Sequence, residues 1–269
     1  MRALVHRADQ CSVVQSLGAV DVIVGDMRSP EIMQQAVRGV EAIYHIPPNM
    51  SPDELSIGQH AITAARSAGV EHFVFHSVLK PQIKAMPHHW NKMLVEEQLV
   101  ASQLPYTILQ PAAYMQNILA NWYSIRENGV YPVPYPADTR ICLVDLEDVA
   151  QVAATVLTEA GHKFAAYELA GTGGISQTEV ADRLGQELER PVSVSSIPVD
   201  RWAEKARRSG LAEYQVETLV KMFTYYQDFG FEGNPKVLTW LLGRSPGSLE
   251  EFIRRSKEIT RLTNKESVN

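Results

Sequence analysis

The stretch Arg2-Ala3-Leu4-Val5-His6-Arg7 decides the fold. Its apolar centre between basic ends reads as a β-strand, and the chain after it alternates strand and helix. Apolar runs of strand length recur at Val20 to Val24, Ala42 to Ile46, Val70 to Phe75 and Tyr106 to Leu109, with helix signals between most of them. Such alternation predicts an α/β fold, a doubly wound parallel sheet covered by helices on both faces.

What does not precede Arg2 matters as much. In doubly wound folds the first strand lies at the centre of the sheet, and the turn after it carries a glycine-rich loop whose backbone N–H groups approach a pyrophosphate. No such loop stands before Arg2. The nearest internal candidate, Gly171-Thr172-Gly173-Gly174, has Ser176 where a third glycine would be needed and reads as an ordinary strand-to-helix turn. The expected strand order 3-2-1-4-5-6 would then lack its central member. Two arrangements follow: the chain is N-terminally truncated by one βα unit of about 20 to 30 residues, or its flanking strands close up in a rearranged sheet. Truncation is the reading adopted, and it predicts two adhesive sheet edges.

Composition narrows the function. A chain of 269 residues with 45% hydrophobic content can bury a large core. A net charge of -6 offers no field for nucleic acid or anionic lipid, and the locally basic Arg254-Arg255-Ser256-Lys257 reads as a frayed, solvated helix end. Cys11 and Cys142 are too few for a disulfide framework, no run of 18 apolar residues exists, and no signal peptide opens the chain. A soluble cytoplasmic protein is expected.

The punctuation fits the alternation. Ser29-Pro30 reads as an N-cap with proline at N1, Gly39 and Gly69 sit where helices end, and Trp90 to Gln103 forms a helix stopped before Pro105. Asp145 reads as an N-cap, which explains the acidic turn Asp145 to Asp148 better than an acid/base pair. Ser176-Gln177-Thr178-Glu179 is a capping box. The proline-rich stretch Tyr131 to Pro136 reads as a rigid loop bordering a pocket, and the aromatic run Met222 to Phe231 reads as core.

These pieces, in this order, resemble the NmrA-like branch of the atypical short-chain dehydrogenase/reductases, NAD(P)-binding Rossmann-type proteins. The resemblance implies a dinucleotide-binding domain over residues 1–157 and a smaller, mostly helical, substrate-covering lobe over 158–269. It places Arg7 at the 2′-phosphate of NADP(H), where a planar guanidinium suits a dianion. Gly25-Asp26-Met27 is similar to the adenine-side turn, and Pro47-Pro48-Asn49 to the loop beside the cofactor. Ser77 stands where the superfamily has a catalytic serine. Lys92 matches the lysine of the Y-x-x-x-K pair, but the tyrosine position is His88, a group that could donate a proton near neutral pH. Adjacent His88 and His89 face different directions, so no metal site is expected.

Pro111-Ala112-Ala113-Tyr114 resembles the loop running beside the nicotinamide, with Tyr114 either a polar group for the pocket or a packed aromatic. The resemblance implies NADP(H) as cofactor, with NAD(H) second, held weakly or not at all if the first unit is lacking. It further implies an oxidoreductase acting on a quinone-like or enone-like small molecule. The alternative is a non-catalytic redox sensor that binds a regulatory protein partner. A homodimer is compatible with either.

Overall fold

Side-chain alternation along three strands builds the centre of the molecule. The computed structural model describes residues 1–266, with side chains through residue 259. In chain order the first elements are β1 (Arg2–Val5), α1 (Cys11–Ser16), β2 (Asp21–Val24), α2 (Pro30–Val37), β3 (Ala42–His45), α3 (Glu54–Ala68), β4 (His72–His76), α4 (Pro87–Ala101) and β5 (Tyr106–Pro111). Then come β6 (Ala113–Tyr114), β7 (Val130–Val133), β8 (Arg140–Ile141), β9 (Leu143–Val144), α5 (Leu146–Thr158) and β10 (Ala165–Leu169). The remainder is β11 (Ile175–Ser176), α6 (Gln177–Leu188), β12 (Ser193–Ser196), α7 (Val199–Arg208), α8 (Glu213–Phe229), α9 (Lys236–Leu242) and α10 (Leu249–Glu266).

The main sheet is parallel, in the order β10-β5-β4-β3. Phe73, Phe75 and Ile108 face one side, where they pack with Met33 of α2, Ala61 and Ala65 of α3 and Val95 and Leu99 of α4. Val74 and Leu109 face the other, against Val149, Val152 and Val156 of α5. Helices therefore cover both faces, as the apolar runs of these strands require. Gly58 lets α3 and α4 approach closely: a Cβ there would stand 2.7 Å from the Val95 side chain.

The local signals hold. Ser29 Oγ accepts from the Ile32 N–H at 3.2 Å, Gly69 closes α3 in the left-handed region, and Ser176 and Glu179 exchange the two bonds of the capping box. Three expectations need correction. The sheet crosses the boundary placed at residue 157, because β10 pairs with β5 along its whole length. The front of the proline-rich stretch is a strand, β7, paired in parallel with β12, where Pro132 takes a place in an edge pair of a two-stranded sheet. The basic run near the end is no solvated tail. Phe252 and Ile253 are buried, and Arg255 reaches Asp145 at 2.5 Å.

β1 and β2 form a separate parallel pair. Neither is hydrogen-bonded to β3. Around this pair Val13, Leu17 and Val20 stand exposed, and α1 buries no residue. Amides of β4 and β5 are therefore expected to exchange with deuterium at least about a hundredfold more slowly than those of β1 and β2. Equal protection across the six strands, measured by exchange mass spectrometry, would show one continuous sheet.

Candidate functional site

Ligands of open parallel sheets bind outside the carboxyl ends of the strands. At the ends of β1, β2 and β3 lies a cavity of about 590 Å³, within the roughly 300 to 1,000 Å³ usual for ligand pockets. Four residues read from the sequence line it together: Asp26, Met27, Pro48 and Asn49. Gly25 is needed beside them, since a Cβ there would stand 2.7 Å from Ile32. Tyr214, from the start of α8, closes the cavity from the C-terminal side, and its hydroxyl accepts from Asn91 Nδ2 of α4 at 3.1 Å.

The electrostatics of this end are mixed. Asp26 is held ionised by hydrogen bonds from Arg28, whose guanidinium approaches to 2.5 Å and depresses the carboxyl far below its ordinary value. Arg28 also lines the cavity and was not singled out in the sequence, although it ends the same turn. Arg7 lies outside the lining, exposed, with its guanidinium 3.0 Å from Asp9. Pro47 belongs to the loop but does not line the cavity. Apolar Leu4, Met27 and Ile57 beside Asp26 and Arg28 suit the adenosine end of a dinucleotide. For the pyrophosphate the described residues offer no free glycine-rich turn: the Gly174 N–H donates to Glu232 at 2.7 Å, far along the chain between β10 and β11.

A second polar group sits at the ends of β3, β4 and β5. In the β3/β4 register Tyr44 lies opposite Val74, so His76, two residues on, is its diagonal neighbour on the same face. Tyr44 Oη lies 2.5 Å from His76 Nδ1, and His76 Nε2 lies 2.7 Å from Tyr114 Oη. The structure thus brings Tyr114 to His76 and Tyr44, neither of which the sequence reading weighed as a site residue. The available signal was a histidine closing a strand, with a tyrosine one register step away.

The remaining expected residues support this group from behind. Lys92, in the second turn of α4, is buried with its Nζ 2.8 Å from Glu54 Oε1 of α3 and 3.3 Å from the His76 carbonyl oxygen. Burial pushes the Glu54 carboxyl up, and Lys92 offsets part of that. Ser77 points away from the strand end: its hydroxyl donates to Glu96, which also accepts from Gln110 at 3.0 Å. Pro111 and Ala112 are buried, and Ala113 with Tyr114 forms β6 against β9. His88 packs edge-on against His89 and is pushed down to about 3, first by burial and then by His89 and Lys92, so it is neutral at pH 7. Among the described residues no three His, Cys, Asp or Glu side chains group as metal ligands, and no helix is long and apolar enough to cross a membrane.

Known proteins resemble this chain in sequence and fold. The sequence profile of the NmrA-like family matches residues 1–259. The NAD(P)H azoreductase of Xenophilus azovorans is 28% identical over 258 residues, 94% of this chain and 88% of that protein. The crystal structure of the NADPH-dependent quinone oxidoreductase QOR2 of Escherichia coli complexed with NADPH superposes with a TM-score of 0.82 at 24% identity, covering 94% of this chain and 89% of that one. The Citrobacter triphenylmethane reductase complexed with NADP(H) gives a TM-score of 0.82 at 23% identity with the same coverage. These two structures share its fold.

Four buried histidines give the site a pH signature. Burial, the largest cause in each, lowers His45 and His88 to about 3 and His76 and His89 to about 4. The unfolded chain, with histidines near 6.5, binds more protons between those values, so stability is complete above about pH 6.5 and falls as the pH drops toward 4. Each histidine contributes up to about 1.4 kcal/mol per pH unit there. Urea midpoints should fall between pH 7 and pH 5, and His45→Phe should flatten the slope. A midpoint independent of pH in that window would show that the imidazoles are solvated.

Proposed function

The chain belongs to the NmrA-like family, and from that premise we propose that it is an NADP(H)-dependent reductase of small conjugated acceptors, quinones and dyes among them. The observation that carries this reading is one of placement. A ligand-sized cavity and a hydrogen-bonded polar group lie side by side at the carboxyl ends of the parallel strands, the first closed by α8 and the second backed by a buried lysine. The cavity takes the adenosine end, with Asp26, Met27, Pro48 and Asn49 among its walls. A bound dihydronicotinamide would supply two electrons as a hydride to the acceptor. The relatives named above point to the same chemistry, since one is an azoreductase and others reduce quinones or triphenylmethane dyes.

The chain's own residues divide into those that touch ligand and those that hold them. Tyr114, with the Pro111 to Ala113 segment before it, borders the reacting end. Lys92 fixes the end of β4 through the His76 carbonyl, and Ser77 and Glu96 tie β4 to α4 on the opposite face. His88, neutral at pH 7, does not serve as a charged acid. Arg7 follows His6 of the cavity wall and faces solvent, so its exposed pairing with Asp9 can be exchanged for a 2′-phosphate without loss of a buried contact.

Two outcomes are expected. Steady-state oxidation of NADPH by a panel of quinones should proceed at about 1 s⁻¹ or faster with the best acceptor. Tight NADPH binding without turnover across the panel would favour a sensor instead. Arg7→Glu should weaken NADPH at least about tenfold more than NADH, because it places repulsion at the 2′-phosphate. Equal weakening by calorimetry would remove Arg7 from that role and leave Arg28 as the nearer guanidinium.

A further inference from the structure

We propose that Tyr44, His76 and Tyr114 form a proton relay that ends in a donor hydroxyl on Tyr114, delivering a proton to the reduced acceptor. The proposal rests on the reductase reading above and deepens it.

A neutral imidazole has one N–H and one bare nitrogen, and here each ring nitrogen faces a phenol. Burial, with Lys92 adding to it, pushes His76 down to about 4, so the ring is neutral at pH 7. One phenol must then donate to the ring and the other accept from it. A relay that delivers its proton outward through Tyr114 requires the Tyr44 phenol, 2.5 Å away, to donate to a bare Nδ1, and Nε2–H to donate to the Tyr114 oxygen at 2.7 Å.

The Tyr114 oxygen accepts from the ring and keeps its own hydrogen. Among the described residues His76 is the one hydrogen-bond partner of that hydroxyl, and Tyr114 is partly exposed. Its O–H therefore has no acceptor within the protein and is aimed by the ring at whatever occupies the strand ends. The charged groups near the ring are Lys92 and Glu54. They are paired with one another, so neither competes for the relay protons.

The step balances. Two electrons and one hydrogen reach a quinone as hydride from the dihydronicotinamide, leaving a hydroquinone monoanion. Tyr114 gives its phenol proton to that oxygen anion and takes the Nε2 proton of His76. His76 Nδ1 takes the phenol proton of Tyr44, and the Tyr44 phenolate regains one from solvent. Burial raises the Tyr44 phenol, so the phenolate is short-lived. The ring is left as its Nδ1–H tautomer, and the relay resets after product leaves: the Tyr114 proton passes back to Nε2, the Nδ1 proton passes back to Tyr44, Tyr44 releases one proton to solvent and Tyr114 takes one from it. Only Tyr114 touches the acceptor. His76 and Tyr44 act through it.

A cationic triarylmethane dye separates this chemistry from the rest of the site, because its central carbon accepts hydride and needs no proton. With the full chain and NADPH, Tyr114→Phe is expected to lower the ratio of quinone to dye turnover at least about a hundredfold, the usual scale of a lost general acid. Tyr44→Phe should lower the same ratio about tenfold. An unchanged ratio in both variants would overturn the relay while leaving the reductase reading intact. A wild-type chain that turns over neither acceptor overturns both.

A readout without cofactor guards against misfolded variants. In ¹⁵N-histidine NMR of the wild-type chain, His76 should remain a neutral Nε2–H tautomer from about pH 5.5 to 8. The opposite tautomer, or titration near 6.5, would overturn the donor assignment.

Discussion

A lysine ammonium buried with a single carboxylate must have its position fixed, and much of the site follows from that. Lys92 and Glu54 meet at 2.8 Å with the Glu54 side chain 1% exposed and that of Lys92 10% exposed. Two such charges are tolerable away from water only while they hold each other; leaving one alone costs about 3 to 5 kcal/mol. The pair therefore locks α4 against the start of α3, and a further bond from the same ammonium grips the His76 carbonyl. Because His76 is the last residue of β4, the grip fixes where that strand ends and which way its imidazole points. The ammonium also lies 5.4 Å from the Phe75 ring centre, so the aromatic face supplies part of what water would have given.

That constraint gives Lys92 a structural role that needs no tyrosine four positions before it. Four positions before Lys92 stands His88, buried and neutral, which cannot replace a phenol that gives up protons to a carbonyl. The hydroxyls available at the strand ends come instead from β3 and from the segment after β5. In the proposed relay the proton-handling groups come from three strands, with the helix lysine as their anchor.

How much of this was legible depended on range. The caps at Ser29, Asp145 and Ser176 and the stop at Gly69 were readable because each involves a few neighbouring residues with known turn chemistry. The two-faced sheet was readable from continuous apolar runs. What could not be read were contacts set by register and by packing of distant segments. Glu54 with Lys92 is 38 residues apart, Tyr44 with His76 is 32, and Asp145 with Arg255 is 110. The last made a basic run look solvated, although it anchors α10 to the start of α5. Ser77 misled for the opposite reason. Its sequence position matched a catalytic serine, but strand alternation turns it to the Glu96 side, away from His76.

The central claim is direct hydride transfer at the strand ends, and one isotope measurement tests it. With NADPH carrying deuterium at the transferred position of its nicotinamide, reduction of a cationic triarylmethane dye should place one deuterium on the central carbon of the colourless product, where solvent cannot exchange it. Mass spectrometry of that product decides the matter. A product carrying the label is what the account predicts, and a reduced dye without it would contradict the account by showing that the electrons arrive by another route.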